Sequence, residues 1–453
     1  MIGFDLFPAR SPQIGLRLNA ADKRSGRPAR KRRTALAEIR ASLGASREVE
    51  VSKNSLLNGL ERTAELMGAT IDASHAGALA WLDGPRRHQS KKGNAVQVSR
   101  DDRNGRVGRV RTAFGQSFDI SPGYLNTASI GIPPLFVTDA VAEAVDRWRT
   151  GSDRSNAFDA DVTAARKAWA SLIGVAPENV AIGASVSQLI GLVAASVPDG
   201  TRVLAVAREF TSVIFPFAAQ AHRGVTVTEV EPAELVSRVN GHDLVAVSVV
   251  QSADGAIADV DGLREAAGAA GARVLLDVTQ AAGWLPLRLD WADWVVGACY
   301  KWLLSPRGAA WLALRPDVLD RTVPHVANWY AARDPWSATY GLPLRLAPDA
   351  RRLDLSPVWF AQRGAAAALP WLATLDLAAV HQHCVGLADS VLAKLGLPPR
   401  GSAVIALDLP GAAERLAAAG ITATSRAGRA RLSFHLYNTA EDVEMAVAAL
   451  RGK

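Results

Sequence analysis

Residues 297–308 read GACYKWLLSPRG and place a lysine, Lys301, directly after an apolar run. The run at 294–299 has the continuous apolar character of a buried parallel strand. A lysine held at the end of such a strand, between Tyr300 and Trp302, is desolvated, so its pKa falls and its amine becomes nucleophilic. On position alone, however, a lysine at a strand end more often extends to solvent. Its meaning therefore depends on the rest of the chain.

Short apolar strands and Ala-rich helices alternate on both sides of Lys301. The predicted strands cover residues 179–183, 202–206, 226–230, 244–249, 273–277, 294–299 and 309–314. This alternation is typical of an α/β domain with a mostly parallel sheet. The sequence therefore predicts a large domain with a seven-stranded sheet over residues 116–353, followed by a smaller C-terminal α/β domain over residues 354–453.

The front quarter of the chain differs in charge from the remaining three quarters. Residues 1–112 hold 22 Lys and Arg against 11 Asp and Glu, whereas residues 113–453 hold 29 against 33. A basic run at 23–33 and a Gly/Arg-rich stretch at 86–111 are typical of tails and linkers. Residues 1–115 are therefore predicted to be a basic extension of low order. Two short predicted helices, at 35–43 and 55–67, leave a small DNA-binding module as the alternative.

The sequence favours a cytoplasmic protein with no membrane partner. No apolar run approaches the roughly 18 residues of a membrane helix, and the first residues lack the pattern of a signal peptide. The two cysteines, Cys299 and Cys384, are too few for a disulfide framework or a cysteine-based metal site. We expect no metal.

Two further residues suggest that Lys301 binds pyridoxal 5′-phosphate (PLP). A PLP enzyme needs an amine for the aldehyde, an acid for the pyridine nitrogen, a cradle for the phosphate and a cation for the substrate carboxylate. Asp277 ends a predicted strand at the edge where open parallel sheets bind ligands, and its carboxylate can pair with the pyridinium. As a lone residue it is equally suited to capping a helix, but its spacing from Lys301 favours the cofactor role. Gln280 can hydrogen-bond the phenolic oxygen of the cofactor.

Residues 180–188, VAIGASVSQ, run from a strand through a small-residue loop into a helix. Backbone N–H groups at such a junction, here those around Val186 and Ser187, bind phosphate together with the helix dipole, and the Ser187 hydroxyl adds a donor. Phe210 can stack on the pyridine ring. Considered singly, a serine-capped helix without a ligand and a core phenylalanine are the commoner interpretations.

Four segments resemble motifs of the class V aminotransferase family of fold-type I PLP enzymes, which includes cysteine desulfurases, kynureninases and isopenicillin N epimerase-like proteins. YLNTAS at 124–129 resembles the N-terminal segment of the family, and LLDVTQA at 275–281 resembles its aspartate motif. YKWLL at 300–304, with PRG at 306–308, resembles its Schiff-base lysine motif. RLS at 431–433, followed by YNT at 437–439, resembles the segment that supplies the arginine for the substrate carboxylate. The resemblance extends from about residue 124 to residue 450.

The resemblance implies a homodimer with active sites at the subunit interface. It implies that Arg431 and Asn126 bind the substrate and that Ser356 reaches the phosphate of the partner subunit. Tyr300 stands where many relatives have histidine, and in the kynureninase pattern this tyrosine contacts phosphate. Ala298 stands where many relatives have serine.

The sequence thus predicts a PLP enzyme acting on an α-amino acid, with Lys301 and Asp277 as catalytic residues and transamination as the default reaction. A C–S or C–C lyase and an epimerase remain alternatives, because all three reactions share one carbanion and no motif decides its fate. A PLP-sensing regulator whose residues 1–115 bind DNA is an alternative of another class. Its DNA binding would depend strongly on salt.

Overall fold

The computed structural model describes residues 19–20, 69–70 and 110–452. In the first two stretches, Asn19–Ala20 pairs antiparallel with Ala69–Thr70. The basic run and the two predicted helices of the N-terminal extension lie outside the described residues, so their predicted low order or DNA binding stays a prediction. The described residues 110–452 belong to one compact unit.

The elements of this unit are numbered from residue 110. Its strands are β1 (Val110–Ala113), β2 (Gln116–Asp119), β3 (Val180–Gly183), β4 (Arg202–Val206), β5 (Thr226–Val230), β6 (Leu244–Ser248), β7 (Arg273–Asp277), β8 (Trp294–Ala298), β9 (Ala310–Leu314), β10 (Val404–Leu407), β11 (Thr424–Arg426) and β12 (Arg429–Ser433). Its helices are α1 (Leu135–Arg149), α2 (Asp159–Ile173), α3 (Val186–Ser196), α4 (Thr211–Ala218), α5 (Val260–Ala270), α6 (Pro316–Leu319), α7 (Trp359–Leu372), α8 (Leu377–Lys394), α9 (Ala412–Ala418) and α10 (Ala440–Arg451).

Seven strands form the central sheet, in the order β3-β9-β8-β7-β6-β4-β5. Strand β9 runs antiparallel to both of its neighbours, and the other pairings are parallel. The predicted α/β fold with a mostly parallel seven-stranded sheet is therefore confirmed, and the predicted strands end within one residue of the observed ones.

Both faces of this sheet are covered, which explains the continuous apolar runs. Successive side chains of a strand point to opposite faces. In β6, Val245 and Val247 join the hydrophobic cluster on one face, while Leu244 and Ala246 join the cluster on the other. No face of the strand is left for polar residues. The one polar side chain of β6, Ser248, is its last residue, at the end where the cavity lies.

The C-terminal elements surround a third hydrophobic cluster. There β12 lies between β10 and β11 in an antiparallel sheet. Residues before the large sheet also join it: Tyr124 bridges to Thr422 and Asn126 to Ser433. The segment that resembles the N-terminal motif of the family therefore lies against the C-terminal sheet.

Asp354, the predicted start of the C-terminal domain, is bound to the large sheet. Its carboxylate pairs with the guanidinium of Arg166 in α2 at 2.7 Å and accepts the N–H of Ile182 in β3 at 2.8 Å. Helix α7, the next element along the chain, packs on α1 and α2. The first helix that contributes side chains to the C-terminal hydrophobic cluster is therefore α8.

The strands β1 and β2 form a hairpin around Phe114 and Gly115, whose φ angles of 48° and 76° are those of a tight hairpin turn. The guanidinium of Arg111 lies 2.6 Å from the carboxylate of Asp442 in α10, which is fully buried. The predicted limit of the extension at residue 115 thus falls inside a folded hairpin. An Arg/Gly-rich surrounding composition concealed the short alternating strands.

We predict that a chain beginning at Arg103 keeps the stability of the full protein, whereas a chain beginning at Gln116 is less stable. The shorter chain lacks Arg111, and removing one partner of a buried ion pair costs about 3–5 kcal/mol. The free energy of unfolding in urea measures the difference. The full-length Arg111→Met variant is the matched control and should lose a similar amount. Equal stability of the two truncated chains would contradict this account of the hairpin.

In the part of the chain that the structure describes, no single helix has the length and apolar composition to cross a membrane. Among the described helices, α7 and α8 taken together meet that test, and they are bent by 96° at the break between them. Both helices bury part of their length within the protein.

Candidate active site

A small cavity opens at the carboxyl ends of the parallel strands. The lining residues come from the ends of β4, β6, β7 and β8 and from the start of α3: Ala184, Ser185, Val186, Ser187, Phe210, Ser212, Ser248, Ser252, Asp277, Thr279, Gln280, Ala298, Tyr300, Lys301 and Arg307. The structure thus brings seven of the predicted site residues to one cavity: Val186, Ser187, Phe210, Asp277, Gln280, Tyr300 and Lys301. Ser356 does not line it.

Lys301 follows β8 and is only 6% exposed. Its Nζ lies 5.5 Å from the ring centroid of Phe210 and 5.7 Å from that of Tyr300. Burial lowers the pKa of Lys301 to about 8; the Asp277 carboxylate opposes this shift, while nearby guanidinium groups reinforce it. A substantial fraction of this amine is therefore neutral near pH 8, as a carbonyl nucleophile must be.

The backbone of the lysine loop is held by Gly131. The N–H of Gly131 donates to the carbonyl of Tyr300 at 2.9 Å. A Cβ at position 131 would lie 1.9 Å from the carbonyl oxygen of Lys301, so the approach requires glycine. This contact fixes the segment after residue 129 against the reactive lysine.

Asp277 ends β7 and is buried. Its Oδ1 accepts the N–H of Thr279 at 2.8 Å, and the Thr279 hydroxyl accepts the N–H of Ala298 at 3.2 Å, which ties the ends of β7 and β8 together. Burial raises the pKa of Asp277 to about 6, although hydrogen bonds from Thr279 and the charge of Lys301 oppose the shift. A cation placed against this carboxylate would stabilise its charged form.

The start of α3 faces the cavity. Ser185 caps the helix, because its hydroxyl accepts the N–H of Gln188 at 3.4 Å. The first N–H groups of a helix have no acceptor within it, and Val186 and Ser187 occupy these positions. Arg307 adds a cation to the same cavity, with its guanidinium 5.1 Å from the ring centroid of Tyr300. This end of the cavity suits an anion such as phosphate.

Gln280 has all its amide groups engaged. Its nitrogen donates to the carbonyl of Ala128 at 2.9 Å and to the hydroxyl of Ser252 at 3.3 Å, and its oxygen accepts the indole N–H of Trp302 at 2.7 Å. The Trp302 bond fixes which way the amide points. A bond from Gln280 to a cofactor oxygen would therefore replace the longer bond, to Ser252.

Arg431 in β12 is 2% exposed, and its hydrogen-bond partners among the described residues are neutral. Its guanidinium donates to the hydroxyl of Ser129 at 2.8 Å, to the carbonyl and hydroxyl of Ser252, and to Thr424. No carboxylate within residues 110–452 forms an ion pair with it. Burial lowers the pKa of Arg431 to about 10, and the charge of Arg426 adds to this. A buried cation without a counterion is costly unless a ligand supplies one.

Asn126 lies one hydrogen bond away from this arginine. Its Oδ1 accepts the hydroxyl of Thr424 at 2.6 Å, and that hydroxyl lies 3.5 Å from the Arg431 guanidinium. Ser252 connects Arg431 to the cavity, because it accepts a hydrogen bond from the Arg431 guanidinium and also lines the cavity. Neither Arg431 nor Asn126 lines the cavity directly.

Glu209 is a buried residue of the site that sequence reasoning missed. Its carboxylate accepts the N–H of Phe210 at 2.7 Å, the hydroxyl and N–H of Ser248 at 2.6 and 2.9 Å, and the amide of Gln251 at 2.9 Å. It therefore holds Phe210 over Lys301. Its position could have indicated a role in the site, because Glu209 lies next to Phe210 and just after a predicted strand. Ser129, Ser252, Thr279 and Arg307 were likewise not assigned a role.

These groups fit PLP. The cavity offers a lysine of lowered pKa for an aldehyde, a buried carboxyl group for a ring nitrogen, a helix start for a phosphate and an aromatic ring beside the lysine. The donor set matches what the cofactor needs from a protein.

Comparisons with known proteins agree with this chemistry. The family model for aminotransferase class V matches residues 136–400. An uncharacterised aminotransferase of Bacillus subtilis (strain 168), YcbU, is 26% identical over 312 residues, which are 64% of this chain and 83% of that protein. Isopenicillin N epimerase of Streptomyces clavuligerus is 29% identical over 237 residues, which are 46% of this chain and 56% of that protein.

Solved structures share the fold. A cysteine desulfurase from Thermococcus onnurineus NA1 superposes with a TM-score of 0.64 at 22% identity, over 73% of this chain and 95% of that one. The cystine C–S lyase C-DES, in complex with cysteine persulfide, gives 0.66 at 19% identity over 73% and 97%. Another structure of C-DES has glycine covalently linked to PLP. The family match spans more than half of the chain and contains the lysine and the aspartate of the cavity. The chain therefore belongs to the class V aminotransferase family of fold-type I, PLP-dependent enzymes.

Proposed function

We propose that this PLP-dependent enzyme is an aminotransferase of α-amino acids, in which Arg431 binds the α-carboxylate. The observation that carries the proposal is the guanidinium of Arg431, which is buried and, among the described residues, faces no carboxylate. It is joined through Ser252 to the cavity that contains Lys301. When bound, PLP supplies an electron sink that stabilises negative charge at the substrate Cα.

Lys301 and Asp277 carry the acid–base roles in this proposal. Lys301 would hold the cofactor at its aldehyde group through Nζ, and the same amine, of lowered pKa, would be the base for the proton at the substrate Cα. The carboxylate of Asp277 holds the proton on the pyridine nitrogen. Arg431 binds the α-carboxylate through two hydrogen bonds. Asn126 positions the Arg431 guanidinium through Thr424 and also contacts the substrate.

The remaining cavity residues orient the cofactor. The N–H groups of Val186 and Ser187, with the Ser187 hydroxyl, bind the phosphate at the start of α3. Phe210 stacks on the pyridine ring, and Gln280 donates to the phenolic oxygen. The hydroxyl of Tyr300 contacts the phosphate, and Arg307 adds positive charge to the cavity.

Transamination is favoured over epimerisation by the small number of acid–base groups. Epimerisation with two bases needs a second proton-transferring group on the opposite face of the Cα. Among the described residues, those that line the cavity include no histidine, cysteine or glutamate. Of the lining residues, Lys301 would be the base for the Cα proton, while Tyr300 is assigned to the phosphate.

An amino-acid panel with several 2-oxo acid acceptors tests the proposal. We expect one amino acid to change the absorbance of bound PLP and to yield its 2-oxo acid in equal amount with the amino acid formed from the acceptor. Ammonia released in step with the 2-oxo acid, without need for an acceptor, would instead identify a lyase. Formation of the D-amino acid would identify an epimerase.

A lyase is the second candidate, because the structure superposes on that of a C–S lyase. A route through a cysteine persulfide on this chain is disfavoured. The turn between β11 and β12 is Ala427-Gly428 and has no cysteine. Cys299 and Cys384 are buried, and burial raises the pKa of both thiols, that of Cys299 to about 12.

We predict that the double variant Cys299→Ala with Cys384→Ala turns over its amino acid within a few-fold of the parent rate. Buried thiols of raised pKa behave as small apolar groups rather than as nucleophiles. Steady-state kinetics measure the effect, and thermal unfolding checks that the core tolerates both changes. Loss of turnover in a folded variant, with a persulfide trapped on a cysteine of the parent, would contradict the proposal.

We also propose a homodimer in which Ser356 reaches the phosphate in the partner subunit, and a cytoplasmic location. A large PLP-binding domain and a smaller C-terminal domain would make up each subunit. Ser356 lies outside the cavity of its own chain, and the segment at 336–344 exposes large apolar side chains, with Tyr340 at 89% and Leu342 at 87%. Apolar surface of this kind is typical of an interface. Both cysteines are free, as in a reducing compartment.

Sedimentation velocity is expected to give the mass of a dimer of the 47.9 kDa chain. Replacing Tyr340 and Leu342 with glutamate should shift the enzyme toward monomers, because burying unpaired charges in an interface is costly. A native protein that sediments as a monomer would refute the dimer.

A further inference from the structure

Three arginines share one face of the hairpin formed by β11 and β12. In its register Thr424 lies opposite Arg431, and Arg426 lies opposite Arg429. Side chains alternate along a strand, so Thr424 and Arg426 project on the same side as Arg429 and Arg431. On this side Arg431 and Thr424 form their network with Ser129, Ser252 and Asn126. The opposite side faces the C-terminal core through Ala430 and Leu432.

Charge on this face is only partly compensated. Arg429 pairs with Asp254 at 3.4 Å. Arg426 is exposed, and its guanidinium donates to the carbonyl of Ser425 at 3.0 Å. No carboxylate in the described part of the chain forms an ion pair with Arg426 or Arg431. Arg426 and Arg429 lie opposite each other, and of the two it is Arg429 that has a carboxylate partner among the described residues, so Arg426 is the one available to a bound anion.

We propose that Arg426 binds an anionic group on the substrate side chain, so that the preferred substrate is an amino acid with a second carboxylate. This inference rests on the proposed function, in which Arg431 binds the α-carboxylate. Diagonal neighbours on antiparallel strands lie about 7–8 Å apart, within reach of long side chains. Two guanidinium groups on one face can therefore take the two ends of one dicarboxylic amino acid.

Electrostatics support a position of Arg426 near the site. Its positive charge contributes to the lowered pKa of Arg431 and to that of Lys301. Arg429 is less suited to the role because Asp254 already neutralises it. Arg307 lies beside Tyr300, which the proposed function assigns to the phosphate. With Arg429 paired to Asp254 and Arg307 assigned to the phosphate end, Arg426 is the arginine left for the substrate side chain.

The test compares charged substrates with neutral isosteres on the holoenzyme. L-Glutamate, L-aspartate, L-glutamine and L-asparagine are titrated into the native enzyme and into Arg426→Gln, Arg426→Lys and Arg400→Gln variants. Arg400 is an exposed arginine of the C-terminal part and serves as the matched control. Binding is read both as the absorbance change of bound PLP and by calorimetry, so the result does not depend on turnover.

We expect Arg426→Gln to weaken binding of the favoured dicarboxylic amino acid about tenfold, as losing a hydrogen bond to a charged group does. Binding of the amides should stay within twofold, Arg426→Lys should recover part of the loss, and Arg400→Gln should match the native enzyme. Equal affinity of the native enzyme for acids and amides, or an equal effect of Arg426→Gln on all four ligands, would overturn the inference while leaving the proposed function intact. A native enzyme that binds none of the four would refute the assignment of Arg426. If it also binds no member of the wider panel, the proposed function fails as well.

Discussion

Replacing Lys301 with alanine is expected to abolish the visible absorbance of bound PLP and to lower turnover by about 10²–10⁴-fold, the scale of a lost acid–base group. Of the described residues, Lys301 is the one lysine that lines the cavity. Lys167 is exposed on α2, and Lys394 pairs with Glu444 at the end of α8. No other amine of the described chain can therefore take over.

Borohydride reduction and peptide mapping locate the attachment. The reduced parent should carry PLP on the peptide that contains Lys301, and the Lys167→Ala variant should behave as the parent does. Circular dichroism should show that the Lys301→Ala chain is folded, because the change removes a charged group that burial disfavours. An unchanged absorbance band in Lys301→Ala would sink the assignment.

Replacing Arg431 with lysine is expected to weaken amino-acid binding about 10–100-fold while leaving PLP absorbance intact. A lysine ammonium is a point charge and cannot form the paired hydrogen bonds that a guanidinium makes with a carboxylate. Arg431→Met should weaken binding further, because truncating one partner of a buried charge pair costs about 2–5 kcal/mol. The KM of the substrate and its dissociation constant measure both effects.

The stability of the Arg431→Met variant provides a second measurement. Removing a buried cation that has no counterion is expected to leave the free energy of unfolding unchanged or higher. Arg315→Lys, which alters a surface ion pair with Asp317, is the control and should match the parent in binding. Loss of PLP from Arg431→Lys would assign Arg431 to the phosphate or to the fold instead.

The parts of the fold that sequence could predict are those governed by local rules. A strand buried on both faces must be apolar along most of its length, so β6, β7 and β8 can be recognised as runs rich in Val, Leu and Ala. Because parallel strands end at one edge of a sheet, residues just after them meet in space. Applied to the amino-acid sequence alone, that rule predicts that Asp277 and Lys301 share one site.

The parts that sequence could not predict depend on contacts between distant segments. The buried guanidinium of Arg431 is held by Ser129, Ser252 and Thr424, which come from three separate places in the chain. Isolated serines and threonines carry no pattern that marks them as partners. The hairpin β1–β2 was missed because its surroundings are rich in Arg and Gly and because its turn uses Phe114 where asparagine or aspartate is usual.

The network around Arg431 also sets an order of events during synthesis of the chain. Asn126 bonds to Thr424, which lies 298 positions later. At about 5–20 residues per second, a ribosome adds Thr424 roughly 15–60 s after Asn126. The start of α3, Asp277 and Lys301 are all complete well before then. A nascent chain should therefore have all the groups that hold its cofactor before it completes the network that holds its substrate.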